Sequence, residues 1–504
     1  MSDDLLGFAD AATIAQLYAQ GSDSFLLGYS HPDHGKSFPV GISDDRHLFI
    51  KAGSRAGKGT SMIIPNLLHW QGGIFCIDPK GENANITAMR RGKKELAHGT
   101  GTSVRNFLEQ NVAVLDPMGI VKGPSKTYRV SYDPLSDIAI GSDDEISQII
   151  SIGEAIVMDE SGSDSHWADS ARTIFNGIVE AVLHTETDKR KHTLSFVREV
   201  YQRGLKTNDD GKKTGKDYLS QAAKRKPGGL AQDAFTLLED AGEDEAGSFS
   251  TTLSRQLQFL SDPRMQKHLS NESDFSLVDA IQNYWSIYLC LPPYQIPRMK
   301  RWLRMLIDVA LQAKMATNHN HDKSKPNTLF MLDEFFALGK MKSIEESAAY
   351  MAGYGIKLVP VIQNIGQIKQ LYDKNWETFL GNTGAIIAWG LNDLDSEQYI
   401  SDRIGKILRY DVSTSAGSSK KSGSWFADSV SQNSSAALVE RPARYPNEIH
   451  SDGARQTGRA YVVPASGEPF MVMRAEYHVE YKNDQIFDSE DFIEEWESAH
   501  GAHS

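Results

Sequence analysis

The stretch HLFIKAGSRAGKGTSMIIPNLL, His47–Leu68, constrains the fold of this chain more than any other segment. An apolar run leads into a glycine-rich turn, and a helical pattern follows the turn directly. In phosphate-binding loops the backbone N–H groups of such a turn surround the phosphates, and a Gly-Lys pair precedes a hydroxyl residue that binds Mg²⁺. Gly57 and Lys58 form the Gly-Lys pair. The sequence therefore predicts a strand, a phosphate loop and a helix.

The loop departs from the usual pattern at both ends. Ala52 stands where the opening glycine is expected, and Gly53 comes one residue later. Gly59 occupies the hydroxyl position, so that Thr60 and Ser61 are shifted along the chain. A glycine-rich turn that binds no ligand is the open alternative, but the strand and helix around the loop favour a nucleotide site, with Thr60 as a metal residue. The predicted nucleotide contacts are Gly53, Ser54, Arg55, Ala56, Gly57, Lys58, Gly59, Thr60 and Ser61.

Two further signals lie at the ends of apolar runs. TLFMLDEFF places Asp333 and Glu334 at the end of an apolar strand, the arrangement in which one carboxylate holds Mg²⁺ and its water and the next activates the attacking water. A solvated turn is the alternative for this acid pair. In IKLVPVIQN, Gln363 directly follows the apolar run, and we expect it at the same sheet edge, near the terminal phosphate, although a helix cap by Asn364 explains this position equally well. The predicted catalytic residues are Lys58, Glu334 and Gln363, and Asp333 is a predicted metal residue.

Six short apolar runs define the expected fold. They are LFIKAG, GIFCIDPKG, NVAVLDPMG, TLFMLDEFF, IKLVPVIQN and GAIIAWGLN. Runs of this length that are apolar on both faces are typical of buried parallel strands, and helical patterns separate several of them. The sequence therefore predicts an α/β protein with a doubly wound, mainly parallel sheet.

The alternation of strands and helices stops between about residues 133 and 275, where long helical patterns follow one another. We interpret this region as an all-helical insertion within the α/β domain. The resulting division is a first nucleotide-binding part at 1–132, the insertion at 133–275, a second nucleotide-binding part at 276–485 and an acidic C-terminal tail at 486–504. Within the second part, the serine-rich segment Ser413–Ala437 is predicted to be a mobile loop.

Composition restricts the partners and the compartment. The 504 residues carry a net charge of −13, so any nucleic-acid contact must be confined to a local basic surface. The sequence has no apolar run of about 20 residues and no export signal, from which we expect a cytoplasmic protein. Cys76 and Cys290 lie in apolar segments, where buried thiols are expected rather than a disulfide or metal ligands.

Several motifs together resemble the coupling proteins of type IV secretion and conjugation systems, of the TraG/TraD type. They are GSRAGKGTSMIIPNLL, IDPKGEN, VLDPMG, LDEFFALGK and VIQNIGQIKQLYDKNWETFLGNTGAIIAWGLND, and the resemblance extends from about Leu26 to Tyr477. Loops spelled Gly-Lys-Gly occur in that family. The resemblance thus favours a working nucleotide site and implies that the helical insertion is the all-α domain of these proteins.

The resemblance implies a RecA-like P-loop ATPase that uses ATP and Mg²⁺ and assembles as a hexameric ring at the cytoplasmic mouth of a secretion channel. It implies relaxase-bound DNA or secreted effector proteins as partners. Residue by residue, it implies that Lys58 holds the β- and γ-phosphates, Asp333 the Mg²⁺ shell and Glu334 the water. Family members usually begin with membrane-spanning helices and this chain has none, which implies a soluble branch or attachment to a membrane complex through a partner.

Two basic segments are candidates for contacts with other molecules. The run between Lys189 and Lys226 is basic against an acidic background, and a solvated helical face is its alternative. The segment YQIPRMKRWLRML, Tyr294–Leu306, contains further basic residues, one of which is a candidate to reach the ATP of a neighbouring subunit. The residues concerned are Lys189, Arg190, Lys191, Arg198, Arg203, Lys206, Lys212, Lys213, Lys216, Lys224, Arg225 and Lys226 in the first segment, and Arg298, Lys300, Arg301 and Arg304 in the second.

The leading hypothesis is an ATP-driven motor of the coupling-protein type that moves DNA, nucleoprotein or protein. Two alternatives stay open. One is a RecA-like DNA translocase that serves defence or mobile-element maintenance without a channel. The other is a recruitment platform that binds nucleotide without hydrolysing it.

Overall fold

A mixed sheet of eleven strands runs through the computed structural model, which describes residues 7–21, 23–158, 165–205, 213–269, 273–317, 326–419 and 429–500. A separate pair of strands, β10 and β11 below, forms a second sheet. The strands are β1 (Phe25–Ser30), β2 (Pro39–Ile42), β3 (His47–Ala52), β4 (Ile74–Asp78), β5 (Val112–Leu115), β6 (Ser286–Cys290), β7 (Thr328–Leu332), β8 (Ile356–Ile362), β9 (Thr383–Trp389), β10 (Lys406–Ser419), β11 (Ser429–Pro442), β12 (Arg459–Pro464) and β13 (Phe470–Met473).

The strand order of the large sheet is β2-β1-β13-β12-β9-β3-β8-β7-β4-β6-β5. The seven strands from β9 to β5 are parallel. All six predicted strands are among them, and the seventh, β6, was not predicted. Four antiparallel strands extend the sheet at the β9 side. The predicted α/β class with a mainly parallel sheet is therefore found.

Twenty α-helices accompany the sheet over the described residues. They are α1 (Ala11–Leu17), α2 (Ile64–His69), α3 (Glu82–Arg91), α4 (Lys94–Ala97), α5 (Glu145–Ile156), α6 (Ser165–Thr185), α7 (Leu194–Gln202), α8 (Gly215–Arg225), α9 (Leu230–Asp240), α10 (Glu243–Gln256), α11 (Pro263–His268), α12 (Leu277–Gln282), α13 (Ile296–Thr317), α14 (Lys342–Met351), α15 (Ile365–Tyr372), α16 (Trp376–Gly381), α17 (Leu394–Ile404), α18 (Pro446–Asp452), α19 (Tyr477–Glu480) and α20 (Glu490–His500).

Side chains of the parallel strands alternate between two apolar layers. On β3, Leu48 and Ile50 belong to one layer and Phe49 to the other. The layer that contains Phe49 continues into α6 through Phe175 and Ile178. Strands buried on both faces need apolar residues at every position, which is why the sequence shows continuous rather than alternating runs.

The region predicted to be a helical insertion contains α5 to α11, and its described residues include no strand. The long helix α13 packs along α5 and leads back into the sheet. Cys76 and Cys290 are free and buried, as the sequence predicts. The division of the chain at residues 132, 275 and 485 stays a prediction.

The described parts of the serine-rich segment Ser413–Ala437 are strands, so the prediction of a loop was wrong for them, and residues 420–428 lie outside the described residues. Its described part belongs to strands β10 and β11, which pair in continuous antiparallel register from Lys406 with Pro442 to Ser419 with Ser429. Small hydroxyl residues gave the segment its loop-like composition. Two strands pair through backbone N–H and C=O groups, which serine and threonine carry as other residues do. Backbone pairing along this ribbon decided the structure.

The acidic C-terminal segment is helical as far as His500 and docks on the sheet domain through α20. Ile493 is buried, and the Glu497 carboxylate lies 2.7 Å from Lys126 Nζ. Just before α20, Asp488 is fully buried and accepts hydrogen bonds from the Thr102 hydroxyl and from Ser103. The described part of the predicted acidic tail is therefore packed against the rest of the chain.

Candidate nucleotide site

The carboxyl ends of β3, β8, β7 and β4 meet at one edge of the sheet, the edge where ligands bind in open α/β folds. A cavity of about 620 Å³ lies there. It is lined by the loop, by the residues that follow β7 and β8, and by the start of α13. The lining residues are Ser54, Arg55, Ala56, Gly57, Lys58, Gly59, Thr60, Asp78, Pro79, Lys80, Glu82, Asn83, Pro293, Ile296, Pro297, Asp333, Glu334, Ala337, Gln363 and Arg455.

The phosphate loop connects β3 to a helical turn through two residues in the left-handed region. Arg55 has φ 57° and Gly57 has φ 82°. Gly53 is required for a different reason, because a Cβ there would lie 2.1 Å from the carbonyl oxygen of Gly390. The early glycine thus lets the loop pass close to the end of β9, although Gly53 does not line the cavity.

The shifted hydroxyls are explained by the helix that follows the loop. Residues Gly59–Ile63 form a π-helical turn before α2 begins, and such a turn accommodates one extra residue in a helix. Thr60 lines the cavity, whereas Ser61 does not. Ser61 is buried and its hydroxyl donates to the Gly57 carbonyl at 2.7 Å. The Thr60 hydroxyl donates to the same carbonyl at 3.2 Å, but of the two residues only Thr60 lines the cavity.

Lys58 lies between the two predicted acids. Its Nζ is 3.6 Å from Asp333 Oδ1 and 3.5 Å from Glu334 Oε1. Burial raises the pKa of Asp333, an effect that Lys58 opposes and that the neighbouring Glu334 strengthens. The loop lysine and the acid pair are thus in direct contact, although 276 positions separate Lys58 from Glu334.

Glu334 adopts a backbone conformation that is rare for a residue with a side chain, with φ 56° and ψ 37°. Such strained residues cluster at functional sites. Gln363 Nε2 lies 3.3 Å from each carboxylate oxygen of Glu334. Asn364 caps α15 by accepting from the Gln367 N–H at 3.0 Å. Gln363 therefore lies at the predicted sheet edge and Asn364 caps the helix, whereas a place of Gln363 near the terminal phosphate stays a prediction.

Three residues that sequence analysis did not select hold the loop from the C-terminal part of the chain. The Trp389 indole and the Arg474 guanidinium donate to the Ala56 carbonyl, and Arg455 donates to the carbonyl of Arg55 at 3.0 Å. Arg474 directly follows the apolar strand FMVM and is buried. Its position directly after an apolar run is the sequence signal that could have pointed to Arg474.

The segment IDPKGEN forms the opposite wall of the cavity. Asp78 ends β4, and burial raises its pKa to about 7 although it accepts the Ala84 N–H at 2.8 Å. Lys80 and Glu82 are exposed at the rim, and their charged groups lie 3.6 Å apart. Asp78 therefore shapes the turn after β4, and the charged groups of Lys80 and Glu82 face the cavity.

Two of the basic residues proposed to reach a neighbouring subunit are bound within their own chain. Arg301 is buried and donates to Gln256 Oε1 at 2.8 Å. Arg304 is buried and donates to the carbonyls of Leu338 and Lys340 at 3.0 and 2.8 Å. Both guanidinium groups are thus bound within their own chain, and the prediction that one arginine of this segment reaches a neighbouring subunit stays a prediction. Of the other two, Arg298 is exposed and Lys300 is partly buried.

Acids compensate much of the basic run between residues 189 and 226. Lys226 Nζ lies 3.3 Å from Glu145 Oε1 and 2.9 Å from Glu180 Oε1. Both carboxylates are buried, and His184 completes the cluster, so Lys226 serves as the cation of an internal network. Four further residues of the run are paired with acids, namely Arg190, Lys191, Arg203 and Lys216. Four others are exposed, namely Lys189, Lys213, Lys224 and Arg225. Two lie outside the described residues, Lys206 and Lys212.

Residues 9–451 match the family model described as Type IV secretory system Conjugative DNA transfer. The chain belongs to this family. The match covers both halves of the cavity, from the loop to the strands that carry the acid pair and Gln363. The family resemblance inferred from the sequence motifs is thereby confirmed.

Curated relatives of the chain include proteins of conjugation and DNA transfer. The conjugal transfer protein TraG of Escherichia coli is 26% identical over 414 residues, which cover 78% of this chain and 60% of TraG. The VirD4 protein of Agrobacterium fabrum is 26% identical over 367 residues, which cover 71% of this chain and 49% of VirD4. The chain thus spans 60% of the length of TraG and 49% of the length of VirD4.

Solved structures of the conjugative coupling protein TrwB share the fold. The form in complex with sulphate has a TM-score of 0.64 at 14% identity and covers 93% of each chain. The complex with the ATP analogue ADPNP has a TM-score of 0.62, and the complex with ADP and Mg²⁺ has 0.61. The predicted RecA-like α/β fold is thereby confirmed. Over the described residues, no helix is both long and apolar enough to cross a bilayer.

Proposed function

We propose that this chain is an ATP-hydrolysing coupling protein that recruits DNA, nucleoprotein or protein for a type IV secretion channel. The observation that carries the proposal is the contact of Lys58 with Asp333 and Glu334 at the carboxyl edge of the sheet, in a chain of the conjugative DNA transfer family. TraG, VirD4 and TrwB, which the chain resembles, are named for conjugal transfer, secretion and coupling.

Each residue at this edge has a role that its position supports. The loop backbone and Lys58 bind the β- and γ-phosphates, since the loop has the turn and the cation of a phosphate site. Glu334 accepts a proton from the attacking water, because its carboxylate lies beside the cavity and is exposed enough to meet water. Gln363 orients that carboxylate through its amide, which donates to both oxygens.

The oxygen donors at the loop fit Mg²⁺. Asp333 supplies a carboxylate and Thr60 a hydroxyl, both lining the same cavity, and hard cations of this size prefer such ligands. Bound there, Mg²⁺ would neutralise charge on the β- and γ-phosphates of ATP. Lys58 Nζ lies 3.6 Å from Asp333 Oδ1, so its ammonium is at the edge where the phosphates and Mg²⁺ would bind.

Assembly is part of the proposal. The family resemblance implies a hexameric ring, in which a neighbouring arginine completes each ATP site. An arginine of this kind contributes about 10³ to 10⁵ in rate in other phosphoryl-transfer enzymes. Specific ATPase activity should therefore rise with protein concentration in the range where sizing detects assembly. A constant specific activity from a protein that stays monomeric would contradict the ring.

The experiment that tests the function is the rate of phosphate release from Mg-ATP by the purified chain, alone and with single-stranded or double-stranded DNA. A motor for DNA should hydrolyse ATP and be stimulated by one of the two DNA forms. Lys58→Ala, measured in parallel, identifies contaminating ATPase. Nucleotide binding without hydrolysis under every condition would favour the alternative of a recruitment platform.

A further inference from the structure

A second lysine, Lys51, lies beneath the phosphate loop and is completely buried. It belongs to β3, two positions before Gly53, and none of its surface is exposed. Its Nζ donates to Asp393 Oδ2 at 3.1 Å. The Asp393 side chain is 31% exposed. Ion pairs that bury a charge are often no more stabilising than apolar side chains, so stability alone is a weak reason for this pair.

Asp393 connects Lys51 to the end of β8. Its second carboxylate oxygen, Oδ1, accepts the Ser396 N–H at 2.9 Å and so caps α17. The Ser396 hydroxyl in turn accepts the N–H of Ile365 at 3.0 Å. Ile365 is the first residue of α15 and lies two positions after Gln363. The carboxylate of Asp393 thus ties the strand that leads into the loop to the turn that carries Gln363.

Further contacts connect Gln363 to the acid pair and the acid pair to the phosphate loop. Within the turn, the backbone N–H of Gln363 donates to Gln367 Oε1 at 2.9 Å. The Gln363 side-chain amide donates to the Glu334 carboxylate, and the same carboxylate forms an ion pair with Lys58. Strand β8 lies between β3 and β7 in the sheet. A shift of its end relative to β3 would therefore change the distance between Gln363 and Glu334.

We propose that Lys51 and Asp393 are a positioning pair for hydrolysis, which fixes the end of β8 against the loop strand so that Gln363 holds the Glu334 carboxylate. This inference rests on the proposed ATPase function. Neither residue lines the cavity, so the pair acts through Gln363 and makes no contact with nucleotide. The pair should therefore influence the hydrolytic step and leave nucleotide affinity unchanged.

Two conservative variants test the pair. Lys51→Met keeps an unbranched apolar stem and removes the ammonium, and Asp393→Asn removes the charge while keeping a good N-cap for α17. We expect each to lower kcat for ATP about tenfold, with the Kd of a fluorescent ATP analogue within twofold of wild type. If Lys51→Met fails to fold by circular dichroism, Asp393→Asn carries the test.

The Gln363→Ala background separates positioning from a general structural effect. If Lys51 acts through Gln363, adding Lys51→Met to Gln363→Ala should lower kcat no further than Gln363→Ala alone. A full additional tenfold loss in this background would overturn the proposal. So would values of kcat within twofold of wild type for both single variants.

Lys357 provides the matched control. It is also a buried lysine of the sheet, but it lies at the opposite end of β8 and donates to the backbone oxygens of Asp44 and Arg46. Lys357→Met should leave kcat unchanged. A wild-type chain without ATPase activity would overturn the proposed function and this inference together. An active wild type with inactive Lys58→Ala and unaffected Lys51→Met would overturn this inference alone.

Discussion

The Trp389 indole and the Arg474 guanidinium donate hydrogen bonds to the same backbone oxygen, the carbonyl of Ala56, each at 2.9 Å. The guanidinium also lies 5.7 Å from the centre of the Trp389 ring, within the range of a cation–π interaction. Trp389 ends β9, and Arg474 follows β13. The conformation of the phosphate loop therefore depends on two strand ends far along the chain.

Arg474→Met should weaken ATP binding about 10- to 100-fold, because hydrogen bonds to a charged group are each worth about 1.5–3 kcal/mol. Isothermal titration with a non-hydrolysable ATP analogue measures the effect. Arg459→Met is the control, since Arg459 lies near Arg474 but binds Asp452 and not the loop. Equal affinities for wild type and Arg474→Met would show that the loop keeps its shape without this residue.

Lys58→Ala and Glu334→Gln should both abolish hydrolysis but differ in binding. Loss of Lys58 removes the cation that faces the phosphates, so affinity for ATP should fall. Glu334→Gln keeps the loop and removes only the proton acceptor, so bound ATP should persist. We expect rate losses of at least about 10²-fold for each variant. Wild-type rates in either variant, measured by phosphate release, would contradict the proposed roles.

Thr60 and Ser61 should differ in the Mg²⁺ dependence of hydrolysis. Thr60→Val removes the hydroxyl that lines the cavity and keeps a branched side chain. The Mg²⁺ concentration for half-maximal activity should rise about tenfold in this variant, a change of about 1.4 kcal/mol. Ser61→Ala removes a hydroxyl that is bonded to the Gly57 carbonyl, and its half-maximal Mg²⁺ concentration should stay near that of wild type. The opposite pattern would assign the metal ligand to Ser61.

His47 should make the folded chain less stable in mild acid. Burial lowers its pKa from 6.5 to about 4, although a hydrogen bond to the Ala348 carbonyl opposes the shift. The unfolded chain therefore takes up a proton as pH falls below 6.5, before the folded chain does, and stability is lost between pH 6.5 and about 4.

The pH dependence of unfolding isolates this contribution. Between pH 7.5 and pH 5, His47 alone should account for about 2 kcal/mol of the stability that is lost. Urea unfolding of His47→Gln should give a lower stability at pH 7.5 but a difference between the two pH values that is smaller by this amount. An identical difference in wild type and variant would show that His47 does not titrate in this range.

Exposed lysines of the helical region should contribute to DNA binding if this surface meets the phosphate backbone. Replacing Lys189, Lys213 and Lys224 with serine should weaken binding to duplexes of unrelated sequence equally. The slope of log K against log salt should become shallower by about 0.9 for each lost phosphate contact. Serine replacements of Lys94, Lys374 and Lys482, which are exposed on other elements, are the control. An unchanged slope in the variant that lacks Lys189, Lys213 and Lys224 would show that this surface does not bind DNA, and would favour acidic protein partners.

The sequence by itself determined most of the parallel strands and the functional residues at their carboxyl ends. Continuous apolar runs mark strands that are buried on both faces, and six of the seven parallel strands follow from them. The remaining strand, SIYLC, carries the same signal but emerges directly from the helical region. Because the carboxyl ends of parallel strands meet at one edge, Lys58, Asp333, Glu334 and Gln363 could be predicted to lie together from local sequence alone.

Only the tertiary structure decided which side chains complete that edge. Arg474 contacts a loop carbonyl 418 positions earlier, and Lys51 meets Asp393 across 342 positions. Tertiary contacts also buried Arg301 and Arg304, although their segment reads as a basic surface. A single sequence records which residues can form a helix or a strand, because those preferences are local. It does not record which distant residues pack against one another, since that depends on how the whole sheet and its helices assemble.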